Sequence, residues 1–114
     1  MNKFQEIENF IAQNKSAIIF VSGLNCAVCD AVFPLVKELI KEYPTFKLIH
    51  IKGNEVPELS GQYQVFTVPA ILFFFNGKEV ARKVRFIQEE ELIKEFDRLS
   101  EFVEQGSIYE DQRG

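Results

Sequence analysis

The chain has 114 residues, enough for one domain and too few for two. Hydrophobic residues make up 46% of it and 12 residues are Phe, so a core can form without staples. A formal net charge of −4, from 13 basic and 17 acidic residues with no basic block, argues against nucleic acid or an anionic membrane as the main partner.

Phe4, Ile7, Phe10 and Ile11 recur at helical spacing, which predicts an amphipathic helix over residues 3–14. The start, Met-Asn-Lys-Phe-Gln-Glu-Ile-Glu, shows no apolar h-region, and no run of about 18 apolar residues occurs. A cytoplasmic chain with no membrane partner is therefore expected. Ala17-Ile18-Ile19-Phe20-Val21 is a continuous, β-branched run that reads as a strand buried on both faces. Ser22-Gly23-Leu24-Asn25 breaks it. From Cys26 the period becomes helical, with Val28, Val32, Leu35, Val36, Leu39, Ile40 and Tyr43 in one stripe, interrupted by a kinking Pro34.

Residues 46–51 read as a second strand, and one short helix is expected near Pro57–Tyr63. Ala70-Ile71-Leu72-Phe73-Phe74-Phe75 is another central strand, and Asn76-Gly77 is a strong hairpin signal. Val80, Val84 and Phe86 alternate with Ala81, Lys83 and Arg85, which predicts a half-exposed edge strand over 79–86. A last helix follows from Gln88, with Leu92, Phe96, Leu99 and Val103 on one face. Gly106 is expected to end it, giving a domain of residues 1–106 and a polar tail of 107–114. A strand, a helix and a second strand need a right-handed parallel crossover, and the hairpin adds an antiparallel pair. The fold class is therefore α/β: a four-stranded mixed sheet with helices on both faces.

The two cysteines stand three apart in Cys26-Ala27-Val28-Cys29, after a strand and at the start of a helix. Disulfide exchange needs a thiolate that attacks and a second thiol near enough to displace the mixed disulfide. A helix N-terminus stabilises the thiolate of Cys26 through the dipole and unpaired N–H groups. Cys29 lies one turn on, more buried, and can reach the first sulfur. Other readings stand beside this one. The pair could be inert in a degenerate scaffold, or supply two ligands of a zinc site shared across a dimer. His50, inside a strand, reads as a partly exposed strand residue, with no sequence partner that suggests a Cys–His nucleophile pair.

At these residues the sequence resembles the thioredoxin family, over roughly residues 5–105. The features in register are Cys26-Ala27-Val28-Cys29 after a buried strand, Pro34 five positions past Cys29, Thr67-Val68-Pro69 before a strand, and Phe75-Asn76-Gly77-Lys78 at the hairpin. The resemblance implies a thioredoxin-like fold whose first strand is absent, and a thiol–disulfide oxidoreductase acting on protein disulfides. It implies Cys26 and Cys29 as catalytic residues. It makes Pro69 a cis proline facing the cysteines, which with Val68 forms the groove for substrate backbone. Asn25 takes the place of the aromatic that normally precedes the first cysteine. No bound cofactor is implied; a flavin disulfide reductase would return electrons, and a monomer is expected. Phe20 stands where the family carries a buried acid, and its basic partner region falls near His50 or Lys52. Asp30 follows Cys29 and both complements the helix dipole and repels a thiolate. These departures keep a second function open: a non-enzymatic binding module or redox sensor.

Overall fold

The computed structural model describes residues 2–113, with side chains through Glu101. The first helix, α1 (Lys3–Gln13), opens on a reciprocal cap: Asn2 Oδ1 accepts from Gln5 N–H at 2.8 Å, and Gln5 Oε1 accepts from Asn2 N–H at 3.2 Å. β1 (Ser16–Ser22) follows, buried along its whole length as a continuous apolar run requires. α2 (Ala27–Ile40) carries Pro34 in its interior, on an exposed face. β2 (Phe46–Lys52) leads through a 3-10 turn at Gly53–Glu55 to the six-residue α3 (Glu58–Tyr63).

β3 (Ala70–Phe75) and β4 (Lys78–Val84) form the hairpin, and α4 (Glu89–Arg113) closes the chain. Asn76 and Gly77 at the hairpin turn both have positive φ, +51° and +81°. That is what a two-residue turn matched to the strand twist demands.

The strand order is β2-β1-β3-β4, with β1–β2 parallel and the other two pairs antiparallel. This is the expected four-stranded mixed sheet with β1 interior and β4 at an edge. Side chains alternate across it and build two cores. Ile18, Phe20, Ile71 and Phe73 pack under α2 and α4 with Val36, Leu92 and Phe96. Ala17, Ile19, Val21, Leu72 and Phe74 pack under α1 and α3 with Ile7, Ile11 and Leu59.

Two boundaries differ from the sequence reading. β4 stops at Val84, because Arg85 takes φ +65° and turns the chain out of the ladder; Phe86 is left 85% exposed. α4 does not end at Gly106: helical geometry is assigned through Arg113. A glycine inside a helix is disfavoured by only about 1 kcal/mol relative to alanine, too little to stop one by itself. Val103 and the expected tail of 107–114 lie outside the residues whose side chains are described.

Candidate active site

Beyond Ser22 the chain leaves β1 through Gly23, Leu24 and Asn25 and turns into α2. Asn25 adopts φ +51°, a left-handed conformation that asparagine accepts more readily than most residues. Cys26 then becomes the N-cap of α2, and its sulfur accepts a hydrogen bond from the Cys29 N–H at 3.2 Å. A hydroxyl or carboxylate is the usual acceptor at this position. A sulfur there is stabilised most when it carries negative charge, since both the hydrogen bond and the helix dipole favour the anion.

Cys26 and Cys29 are joined as a disulfide, with their Cα atoms 5.2 Å apart. Their surroundings are unequal. Cys26 is half-buried, whereas Cys29 is 2% exposed and packs in the α2/α4 core with Phe20 and Val32. One sulfur faces outward at the helix tip and the other faces inward.

The segment before β3 meets this loop from one side. The Val68–Pro69 peptide is cis, Pro69 is buried and Val68 is part-exposed. A Cβ on Gly23 would stand 3.0 Å from Val68 Cγ2. A side chain at position 23 would therefore have to displace Val68 by a few tenths of an ångström. Leu24, Val28 and Phe66 are also exposed apolar side chains, at 74%, 48% and 79%. Leu24 and Val28 flank Cys26 in sequence, and Phe66 lies two residues before Val68. Leu24 and Phe66 are not marked in the sequence, because an apolar residue in a loop carries no signal of its exposure.

On the other side, Asn25, Cys29 and Asp30 border a cavity of about 290 Å³ together with Ser22, Phe33 and His50. The resemblance had placed a buried acid at Phe20. The structure puts three rings there instead. Phe20 is fully buried, with the Phe33 centroid 5.1 Å away, and the His50 ring meets Phe33 at 4.2 Å and Phe20 edge-on at 5.5 Å. Ser22 Oγ and His50 Nε2 are 2.8 Å apart. Burial, and then the nearby Lys52 ammonium, hold the imidazole below its ordinary range, so it is neutral near pH 7.

The parallel register explains this meeting. Phe20 pairs with His50 and Ser22 with Lys52, so all four side chains point to the α2 face. Only that register, invisible in either strand alone, places Ser22 beside His50. Among the described residues, no group of three His, Cys, Asp or Glu side chains comes together as a metal site, and no helix is long and apolar enough to cross a membrane.

A C-x-x-C disulfide at a helix N-terminus, on a four-stranded mixed sheet with helices on both faces, defines a thiol–disulfide oxidoreductase of the thioredoxin fold. Comparison with known proteins gives the family. The thioredoxin family model matches residues 2–98. The thioredoxin-like protein YdfQ of Bacillus subtilis is 38% identical over 99 residues, covering 87% of this chain and 88% of that protein. Thioredoxin-1 of Saccharomyces cerevisiae is 28% identical over 69% of this chain and 77% of its own length. Mitochondrial thioredoxin 3 of S. cerevisiae, in its oxidized form, superposes with a TM-score of 0.75 at 21% identity, covering 83% of this chain and 89% of that one. The chain belongs to the thioredoxin family, whose members are thiol–disulfide oxidoreductases that reduce protein disulfides.

Proposed function

We propose that Cys26 is the attacking sulfur and Cys29 the resolving one, in a cycle that reduces or exchanges protein disulfides. The observation that carries this is the inequality of the two sulfurs: Cys26 half-buried and hydrogen-bonded at the helix N-cap, Cys29 2% exposed beneath it. In the reduced protein the Cys26 thiolate attacks one sulfur of a substrate disulfide. A Cys26–substrate bond forms, and the other substrate sulfur leaves as a thiolate that takes a proton. Cys29 then loses its proton and attacks Cys26. The Cys26–Cys29 disulfide forms, and the second substrate thiol is released. The protein dithiol is oxidised by two electrons and the substrate disulfide is reduced by two.

Val68 and Pro69 border the substrate strand on one side and Asn25 on the other. The apolar side chains of Leu24, Val28 and Phe66 favour a segment that offers hydrophobic residues next to its cystine. A flavin disulfide reductase, through its own dithiol, returns the electrons, and the protein works as a monomer in the reducing cytoplasm. Residues 1–106 make up the working unit. The binding-module reading draws on Asn25 in place of the family's aromatic and Phe20 in place of its buried acid, and the positioned cysteine pair favours exchange.

Turnover of a protein disulfide, driven by NADPH and a thioredoxin-type flavin reductase, tests the roles. Cys26→Ser is expected to abolish turnover, and Cys29→Ser to accumulate mixed disulfide. Faster alkylation of Cys29 than of Cys26 in the reduced protein at neutral pH would reverse the assignment.

A further inference from the structure

We propose that Ser22 and His50 form a proton relay for Cys29, taking over the work of an acid–base group at the position that Phe20 fills. The proposal rests on the reading of Cys29 as the resolving sulfur.

When Cys29 attacks the mixed disulfide its proton must go somewhere. Cys29 packs in the same apolar cluster as Phe20, which neither accepts a proton nor stabilises a buried thiolate. Cys29 borders the cavity of about 290 Å³ that it shares with Ser22, Asp30 and His50. That space is roomy enough for water and is lined by groups that can bind it. Ser22 Oγ sits at its wall, 2.8 Å from His50 Nε2 and nearly buried itself. A serine hydroxyl can accept a hydrogen bond from water while it donates its own hydrogen to an imidazole nitrogen. The path is then Cys29 Sγ–H to a cavity water, water to Ser22 Oγ, and Ser22 O–H to His50 Nε2.

Each step moves one proton and makes the next group a donor. At the end the Cys29 thiolate displaces the substrate sulfur from Cys26, and His50 is an imidazolium. When the disulfide is later reduced, the same path returns the proton to Cys29.

The surroundings suit a base that is neutral at rest. Phe33 and Phe20 pack against one side of the ring, which is otherwise exposed, and Lys52, on the same strand, disfavours its protonated form. From α2 the charged groups on this side are Asp30, at the cavity, and Lys37, whose Nζ lies 5.6 Å over the Phe33 ring. From β1 the only polar neighbour at the cavity is Ser22. Asp30 is the competing acceptor; it and His50 are both exposed side chains, but His50 Nε2 is held 2.8 Å from the buried Ser22 Oγ at the cavity wall.

The test is single-turnover kinetics on the intact chain with a protein disulfide, following formation and decay of the mixed disulfide separately from pH 5 to 9. In the wild type the decay rate is expected to rise through an inflection that coincides with the imidazole titration. The chain holds one histidine, so proton NMR reads that titration from a single ring. His50→Gln is expected to slow decay by about 10²-fold near neutral pH, with the inflection lost and formation of the mixed disulfide still rapid. Ser22→Ala is expected to slow it by less and to move the inflection. Decay that is equal in wild type and His50→Gln, or an inflection that survives in His50→Gln and vanishes in Asp30→Asn, would overturn the relay and leave the exchange reading standing. If the wild type forms no mixed disulfide at all, both fall.

Discussion

The two faces of the sheet are built from the same strands and do different things. Under α1 and α3, β1 and β3 present Ala17, Ile19, Val21, Leu72 and Phe74 to Ile7, Ile11 and Leu59, a mostly aliphatic layer. Under α2 and α4 the same strands present Ile18, Phe20, Ile71 and Phe73 to a more aromatic layer, in which Phe73 and Phe46 meet Phe96 edge-on. That layer runs up to Cys29, Ser22 and His50 at the carboxyl ends of β1 and β2. Both faces do the work of burial. Only the second ends at a place where packing gives way to polar groups and a sulfur. Ligands of open α/β sheets likewise gather at the carboxyl ends of strands.

Paired truncations would sharpen this contrast most. Leu72 and Phe73 are neighbours on β3, both fully buried, and they face opposite ways. Leu72→Ala is expected to lower stability by about 2–5 kcal/mol and Phe73→Ala by about 3–5 kcal/mol, read as urea midpoints. The exchange rate of the folded fraction should hold in Leu72→Ala. A change there as large as in Phe73→Ala would mean that the two faces are not functionally distinct.

Next in size is Phe20→Asp, which places a carboxylate beside Cys29. Its expected effects are faster decay of the mixed disulfide and a loss of a few kcal/mol of stability, roughly the cost of a buried polar group without full partners. If decay in the wild type is already as fast as formation, proton removal from Cys29 is not a bottleneck, and Phe20→Asp should then change only stability.

The smallest expected effect lies at the far end of the same face. Tyr43 stacks on Phe96 at 4.8 Å, and its hydroxyl donates to Asp97 Oδ1 at 2.5 Å. The hydrogen bond to Asp97, then burial, pushes the phenol up to about 12. In the unfolded chain it ionises near 10. Its contribution is therefore whole below pH 10 and is lost as pH climbs through 12, where the unfolded chain gives up the proton first. The pair is exposed, so the effect on stability is slight. Ultraviolet titration should show a late phenol in the wild type that moves toward 10 in Asp97→Asn.

Much of this was legible in the sequence because the signals were local. The unbroken apolar runs at 17–21 and 70–75 announce strands covered on both sides. Asn76-Gly77 announces its turn, and the cysteine spacing after a strand announces the helix tip. What stayed hidden depends on register or on a single dihedral. Ser22 and His50 lie 28 residues apart and meet only once β1 and β2 slide into their particular pairing. The early end of β4 depends on the φ of Arg85, a residue type with no special liking for that conformation. The polar path beside Cys29 was missed for a related reason: a family pattern asks for a carboxylate at one position, and Phe20 answers only that the carboxylate is not there.

The segment that carries Val68 is fastened at both ends by arginines from the edge of the sheet. Arg82 donates to the main-chain carbonyls of Tyr63, at 2.7 Å, and Gln64, at 3.0 Å, and is itself held by Glu79. Its guanidinium thereby covers carbonyls that the end of a short helix leaves open. Three residues on, the Arg85 N–H donates to the Pro69 carbonyl at 3.0 Å, and its Nε reaches Thr67 Oγ1 at 3.4 Å. β4 is thus more than a border strand. It acts as a clamp bar that ties the stiffness of residues 64–69 to the integrity of the hairpin, so that fraying of the outermost strand would loosen one wall of the groove before the sheet itself gave way.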